Sequence, residues 1–385
     1  MAVPIDTDYM TETLRELVRI NSVNPSLEPG APGESEIADY VERSLGAIGL
    51  DVARHEAVQG RPSVVGCLRG MGGGRTLMVN AHYDTVGVGS MPDPFAARIS
   101  EGRLYGRGAY DMKGSLAACM TAVKAFTDAG IGLAGDVLVA AVADEEHASI
   151  GTAEVIDHYE VNGAIVTEPT ELDICVAHKG FVWLEVAVTG RAAHGSRPDL
   201  GVDANMHMGR FLARLDVVRQ QLSEKPPHRF VGVPSLHAAM LQGGTAASVY
   251  ADSSRLTIER RTIPGETEQQ VVREIQEILD DLSSVDPQFK AELRTTLVRQ
   301  PFEVATDSPI VRHLERAVER VTGGDPILAG QSPWMDSALL SSAGVDTAVI
   351  GPAGAGAHSD EEWVELESVE KLTRILVETA LEYCG

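Results

Sequence analysis

The stretch Arg75-Thr76-Leu77-Met78-Val79-Asn80-Ala81-His82-Tyr83-Asp84-Thr85-Val86 passes from a short apolar run straight into a histidine and an aspartate two residues apart. Leu77, Met78 and Val79 show no polar alternation, the pattern of a strand buried on both faces. Open α/β sheets bind ligands beyond the carboxyl ends of such strands, where His82 and Asp84 fall. Taken alone, the pair suits a surface turn as well as a ligand site. Working outward, apolar runs recur at residues 136–142, 163–167 and 347–350. Helical periodicities lie between them. Ile37, Tyr40, Val41, Leu45 and Ile48 repeat at three- and four-residue steps after Gly33-Glu34-Ser35, and Leu116, Met120, Val123 and Phe126 lead toward Gly130, a plausible helix stop. This alternation predicts a doubly wound α/β domain.

Between about residues 179 and 300 the texture changes. Val182, Leu184, Val186 and Val188 alternate with polar positions, a helix is expected from Asp203, Pro226-Pro227 marks a loop, and residues 254–262 read as another strand. An α+β domain inserted into the first is therefore expected: a doubly wound mixed-sheet domain from residues 1–178 and 298–385, and a smaller one from residues 179–297. At 385 residues the chain is long enough to give each a core.

With 32 basic and 56 acidic residues the formal charge is -24, which repels nucleic acid and anionic membrane surfaces at long range. No run approaches the roughly 20 apolar residues of a spanning helix, and Met1 to Asp8 has neither a basic nor an apolar leader pattern, so a cytoplasmic location is expected. Cys67, Cys119, Cys175 and Cys384 are widely spaced and read as buried free thiols.

The chemistry lies in five segments at strand ends or helix starts. After His82 and Asp84 comes Gly106-Arg107-Gly108-Ala109-Tyr110-Asp111-Met112-Lys113-Gly114, in which Asp111 reads either as a helix cap or as a ligand. Asp144-Glu145-Glu146 and Glu168 each follow a buried run, where acids are costly unless a cation compensates them. His358 sits in the glycine-rich Gly356-Ala357-His358-Ser359-Asp360-Glu361. Two histidines and several carboxylates are the donors that suit zinc or cobalt.

These segments resemble, over nearly the whole chain and in the same order, the metallohydrolase family of acetylornithine deacetylase, succinyl-diaminopimelate desuccinylase, aminoacylase and bacterial glutamate carboxypeptidase. The resemblance rests on the G-R-G-x-x-D-M-K-G string, the D-E-E triplet and the A-H-S-x-x-E string. It implies two Zn2+ ions, with Co2+ or Mn2+ able to share such ligands. His82 and Glu168 would hold one ion and Glu146 and His358 the other, with Asp111 bridging. Glu145 would be the general base, and Asp84 the carboxylate that orients the His82 ring.

In the inserted domain, His194 resembles the family's oxyanion-contacting histidine and Arg261 its arginine for a substrate carboxylate. The resemblance also implies a homodimer joined through that domain, His194 serving the other subunit's site. Three stretches depart from the family: Ala247-Ser248-Val249-Tyr250-Ala251 replaces an asparagine and a V-V-P turn, the loop before Pro94-Phe95 lacks a tryptophan, and Ser332-Pro333-Trp334-Met335-Asp336 replaces a glycine-rich run. Trp334 fits a pocket wall or a core position. The expected activity is release of an amino acid from an N-acyl group such as acetyl or succinyl, with carboxypeptidase or dipeptidase action as the alternative. A metal-binding protein without catalysis has no need of Glu145 beside the ligands.

Overall fold

The computed structural model describes residues 3–385. The chain opens with helices α1 (Thr7–Arg19) and α2 (Ser35–Ala47), then strands β1 (Asp51–His55), β2 (Ser63–Leu68) and β3 (Leu77–His82). A hairpin of β4 (Arg98–Ser100) and β5 (Arg103–Tyr105) leads through an irregular turn at Ala109–Lys113 into α3 (Gly114–Ala129). Next come β6 (Val137–Val142), α4 (Ile150–His158), β7 (Gly163–Val166), β8 (Ile174–His178), β9 (Gly180–Thr189), α5 (Ala204–Ser223), β10 (Ser235–Gly243), β11 (Ser253–Thr262), α6 (Glu268–Val285), β12 (Lys290–Arg299) and β13 (Phe302–Glu303). The path ends with α7 (Pro309–Thr322), β14 (Leu328–Gln331), α8 (Ser337–Ser342), β15 (Asp346–Val349), β16 (Gly354–Ala355), β17 (Trp363–Glu365) and α9 (Leu366–Tyr383).

These elements form two compact units. The first takes the described residues up to Val176, then Val304–Ala329 and Met335–Gly385; the second takes Ala177–Glu303 and Gly330–Trp334. In the first, the main sheet runs β1-β2-β6-β3-β7-β15-β8. Its centre is parallel, with β3 between β6 and β7 and β15 beside β7. β1, β2 and β8 pair antiparallel at the margins. Every residue of β3, β6 and β7 is buried. The unbroken apolar runs follow from that: α3 packs on β3 and β6 alongside α1 and α9, while α4 packs on β6 next to α8. α3 ends at Gly130, whose φ of 63° supplies the left-handed stop expected of glycine. A smaller antiparallel sheet, β16-β17-β5-β4, joins the two ends of this unit's sequence.

The second unit is a four-stranded antiparallel sheet, β10-β11-β9-β12, with α5 and α6 on one face. Its core gathers the inward residues of β9 (Val182, Leu184, Val186 and Val188) with Phe211, Ile258, Ile275 and Phe289. Asp203 caps α5 by accepting from the amides of Asn205 and Met206, and Thr267 and Gln270 form a reciprocal cap on α6. β10 is an edge strand and exposed along most of its length. The four cysteines are buried, and none of them forms a disulfide. Among the described residues, no helix is long and apolar enough to cross a membrane.

Candidate metal centre

Strand order decides where the site forms. From β3 the chain goes through α3 to β6 on one side, then through α4 to β7 on the other. β3 is thus the point where connections diverge, and the crevice beyond its carboxyl end is open to ligands. His82 is the last residue of β3, Asp144-Glu145-Glu146 follow β6, and Glu168 follows β7. Asp111 comes from the turn before α3, and His358 from the loop between β16 and β17. Asp111 does not cap α3, which starts at Gly114. The peptide between Asp111 and Met112 is cis. Asp144, Ser149 and His358 have φ of 67°, 54° and 61°, a left-handed conformation that side chains other than glycine adopt at a cost and that clusters at functional sites.

These residues converge on two groups that share one member. The ligand atoms of His82, Asp111 and Glu168 lie within 4.8 Å of one another, as do those of Asp111, Glu146 and His358. Asp111 divides its oxygens between them. Oδ1 is 3.2 Å from Nε2 of His82, and Oδ2 is 3.3 Å from Nε2 of His358. Nε2 of His82 is also 3.5 Å from Glu168 Oε1, and Nε2 of His358 is 3.0 Å from Glu146 Oε2. Donors about 2.0–2.2 Å from a tetrahedral zinc stand roughly 3.4 Å apart, so the spacings fit a cation in each group. Glu145 belongs to neither group; its Oε2 lies 3.9 Å from His82 Nε2.

Charge crowding tells the same story. Burial, then the neighbouring Glu168, push the Glu145 carboxyl well above its ordinary pKa, and burial and Asp111 do the same for Glu168. Burial and Asp111 also raise Glu146. Burial opposes a charged His82, yet Glu168, Asp111, Glu145 and Asp84 outweigh it and raise its pKa well above the ordinary value. Hydrogen bonds to Asp111 and Glu146 lift His358 to about 10. Acids that resist ionising and histidines drawn into charge are what a buried carboxylate cluster shows when positive charge is scarce. Nitrogen and oxygen donors without thiolate suit zinc, cobalt or manganese.

Behind the ligands lies a second tier that sequence reading missed, apart from Asp84. His82 Nδ1 is 3.0 Å from the Asp84 carbonyl and 3.7 Å from Asp84 Oδ1. The Asp84 carboxylate accepts from the amides of Glu145 and Glu146 and, at 2.8 Å, from Asn24 Nδ2, so it fixes the His82 ring and the acidic loop together. Asn24 also donates to Asp144. Arg61 completes this tier, donating to both oxygens of Glu34 and to Asp144 Oδ1, each at 2.6 Å. On the other side, the buried Glu362 accepts from the amides of Gly108, Tyr110 and Asp111 and from Arg107. It thereby clamps the turn that presents Asp111. Asp336 accepts from Thr152, which itself accepts from Asn80. Burial pushes Asp336 up to about 6. Glu362 closes the A-H-S-x-x-E string, the one signal that could have found it.

His194 and Arg261 belong to the second unit. His194 is exposed, with Nδ1 2.8 Å from Ser196 Oγ, in a loop that Gly195 ties to Ser248. In β11 the adjacent arginines Arg260 and Arg261 part company. Arg260 is buried and bonded to Glu266 and Glu274, whereas Arg261 lies half-buried over the Phe181 ring and donates to Glu259. Trp334 is half-buried, donates to the Gln300 carbonyl and sits among Phe181, His178 and Arg299. It is neither a core residue nor free surface.

Residues 78–382 match the family model described as Peptidase family M20/M25/M40. Acetylornithine deacetylase of Myxococcus xanthus is 29% identical over 97% of this chain and 97% of its own length. N-formyl-4-amino-5-aminomethyl-2-methylpyrimidine deformylase of Bacillus subtilis is 28% identical over 97% of this chain and 96% of its own. Among solved structures, a dinuclear metal-binding peptidase of Bacillus subtilis superposes with a TM-score of 0.76 at 16% identity, covering 98% of both chains.

Proposed function

This chain belongs to peptidase family M20/M25/M40, a family of metal-dependent amidases and peptidases, and from that membership we propose that it releases an amino acid from a linear N-acyl amide. The observation that carries the reading is the split of Asp111 between two histidine–glutamate pairs, with Glu145 beside them and outside both. His82 and Glu168 would hold one cation and Glu146 and His358 the other, with Asp111 shared by both groups; Zn2+ is the ion proposed. Acetylornithine deacetylase and the deformylase, both named for removing an acyl group, align end to end with the chain and favour the deacylase reading.

The bound pair supplies a water of lowered pKa and charge stabilisation for the oxygen of the attacked carbonyl. Glu145 is placed to take a proton from the attacking water and to return it to the nitrogen as the C–N bond breaks. Asp84 keeps the His82 ring and the Glu145 loop in register. Arg261 pairs with the α-carboxylate of the substrate, and His194 donates to the oxyanion.

We further propose a homodimer formed through the second unit. The edge strand β10 leaves Met240 and Leu241 more than half exposed, as is Met206 on α5, and unpaired apolar edges of that kind favour a partner.

The test is amine release from N-acetyl, N-succinyl and N-formyl amino acids and from dipeptides, with enzyme loaded with Zn2+, Co2+ or Mn2+. N-acyl amino acids with a free α-carboxylate should be preferred. Preference for dipeptides moves the chain to the peptidase side of its family, and equal rates on carboxylate and amidated substrates remove Arg261 from its role.

A further inference from the structure

A second group of metal-type side chains lies in the first unit and shares no residue with the centre above. His55 is the last residue of β1, the edge strand of the main sheet. Glu154 and His158 lie one turn apart on α4, at the spacing that puts both on one face. The ligand atoms of these three residues lie within 4.8 Å of one another.

The rings of His55 and His158 stack with centroids 4.6 Å apart and planes inclined by 25°. Two imidazoles placed so closely repel when both are protonated and are best used when both are neutral, the form that binds metal. Burial, then His158, hold the His55 ring below its ordinary pKa. Each inner member already has an orienting partner. Nε2 of His55 is 2.9 Å from the Tyr159 hydroxyl, and Glu154 Oε2 accepts from the Ala57 amide at 2.9 Å, the kind of outer hydrogen bond that aims metal ligands. His158 is exposed, which leaves a path for an ion.

We propose that His55, Glu154 and His158 form an accessory site for one borderline divalent cation, Zn2+ first among them. Three protein ligands leave a further position for water, as in open zinc sites. The ion joins an edge strand to α4, the helix that follows the Glu145–Glu146 loop, so binding staples two elements that otherwise meet through side-chain packing. It does not rest on the assignment of the catalytic centre.

The whole chain, stripped with chelator and equilibrated with Zn2+ at micromolar free concentration, should bind one ion more than His158→Gln, and its melting temperature should rise further with added Zn2+. His158 is the exposed last residue of α4, so this variant keeps its fold; Glu154→Gln, which retains the bond to Ala57 through its amide oxygen, should lose the same ion. Amide-hydrolysing activity at limiting Zn2+ should match the parent in both. The additional ion should persist when Asp111→Ala is introduced into the parent, which separates this site from the other. Equal zinc content and equal thermal response in the parent and both variants would overturn the proposal.

Discussion

Glu145 and Asp111 sit next to each other in function and should fail in different ways. Glu145→Gln removes the proton acceptor and no ligand, so both metals should remain while turnover drops by about 100- to 10,000-fold, read by metal content and kcat on one preparation. Turnover within about tenfold of the parent would show that another group is the base. Asp111→Ala takes an oxygen from each group at once and should release metal; full occupancy of both positions would refute the bridge. Glu145, Glu146 and Glu168 stood out in the sequence as acids at the ends of apolar strands, which are costly there, whereas His82, Asp111 and His358 each had an ordinary local reading and entered the proposed ligand set through the family resemblance. The tier behind them did not stand out. Arg61 reaches Glu34 across 27 residues and Asp144 across 83, and Glu362 reaches Gly108 across 254. No short-range pattern marks such pairs: Arg61 and Glu34 each read alone as ordinary surface charge, and Glu362 carries no signal beyond its place in the A-H-S-x-x-E string.

At the scale of elements, the strands and helices that carry a single strong period were readable: β3, β6, β7 and β15 as unbroken apolar runs, α2 as an amphipathic repeat and α3 as a helical repeat. β10 carried no such pattern, because nearly all of its residues are exposed and no buried face imposes alternation. The packing of α7 on α9 shows how pairs of elements are joined. Glu382 of α9 receives Arg316 and Arg320 of α7. Partial burial works against its ionisation, but the hydrogen bonds of Arg320 and Arg316 together overcome it and bring its pKa down to about 2. A carboxyl depressed from the ordinary 4.5 contributes stability that is complete above that value and fades as pH falls toward 2. Glu382→Gln should therefore lower unfolding free energy near neutral pH by less than about 1 kcal/mol, as for partly exposed pairs. Denaturant titrations at a series of pH values should show the parent and variant converging in acid; a difference that stays constant down to pH 2 would assign the effect to packing.

For the molecule as a whole, the proposed homodimer makes a quantitative claim. If His194 serves the other subunit, His194→Ala and Glu145→Gln chains should each be nearly inactive alone and recover when subunits exchange. With half the dimers mixed, and one intact site in each of those, recovery should approach roughly a quarter of parental activity if sites act independently. No recovery despite demonstrated exchange would place His194 within its own chain's chemistry or outside it altogether. The second unit takes in Gly330–Trp334 as well as Ala177–Glu303, and a five-residue excursion of that kind has no periodicity by which the sequence could mark it. The first unit's three-piece construction also sets an order of events during synthesis. A ribosome that has released His82, Asp111 and Glu168 must still add roughly 190 residues before His358 appears, about 10–40 s at ordinary elongation rates. Throughout that interval the nascent chain would carry the proposed donors of one cation, His82, Asp111 and Glu168, and lack His358 of the other, so on this assignment the two positions are completed one after the other.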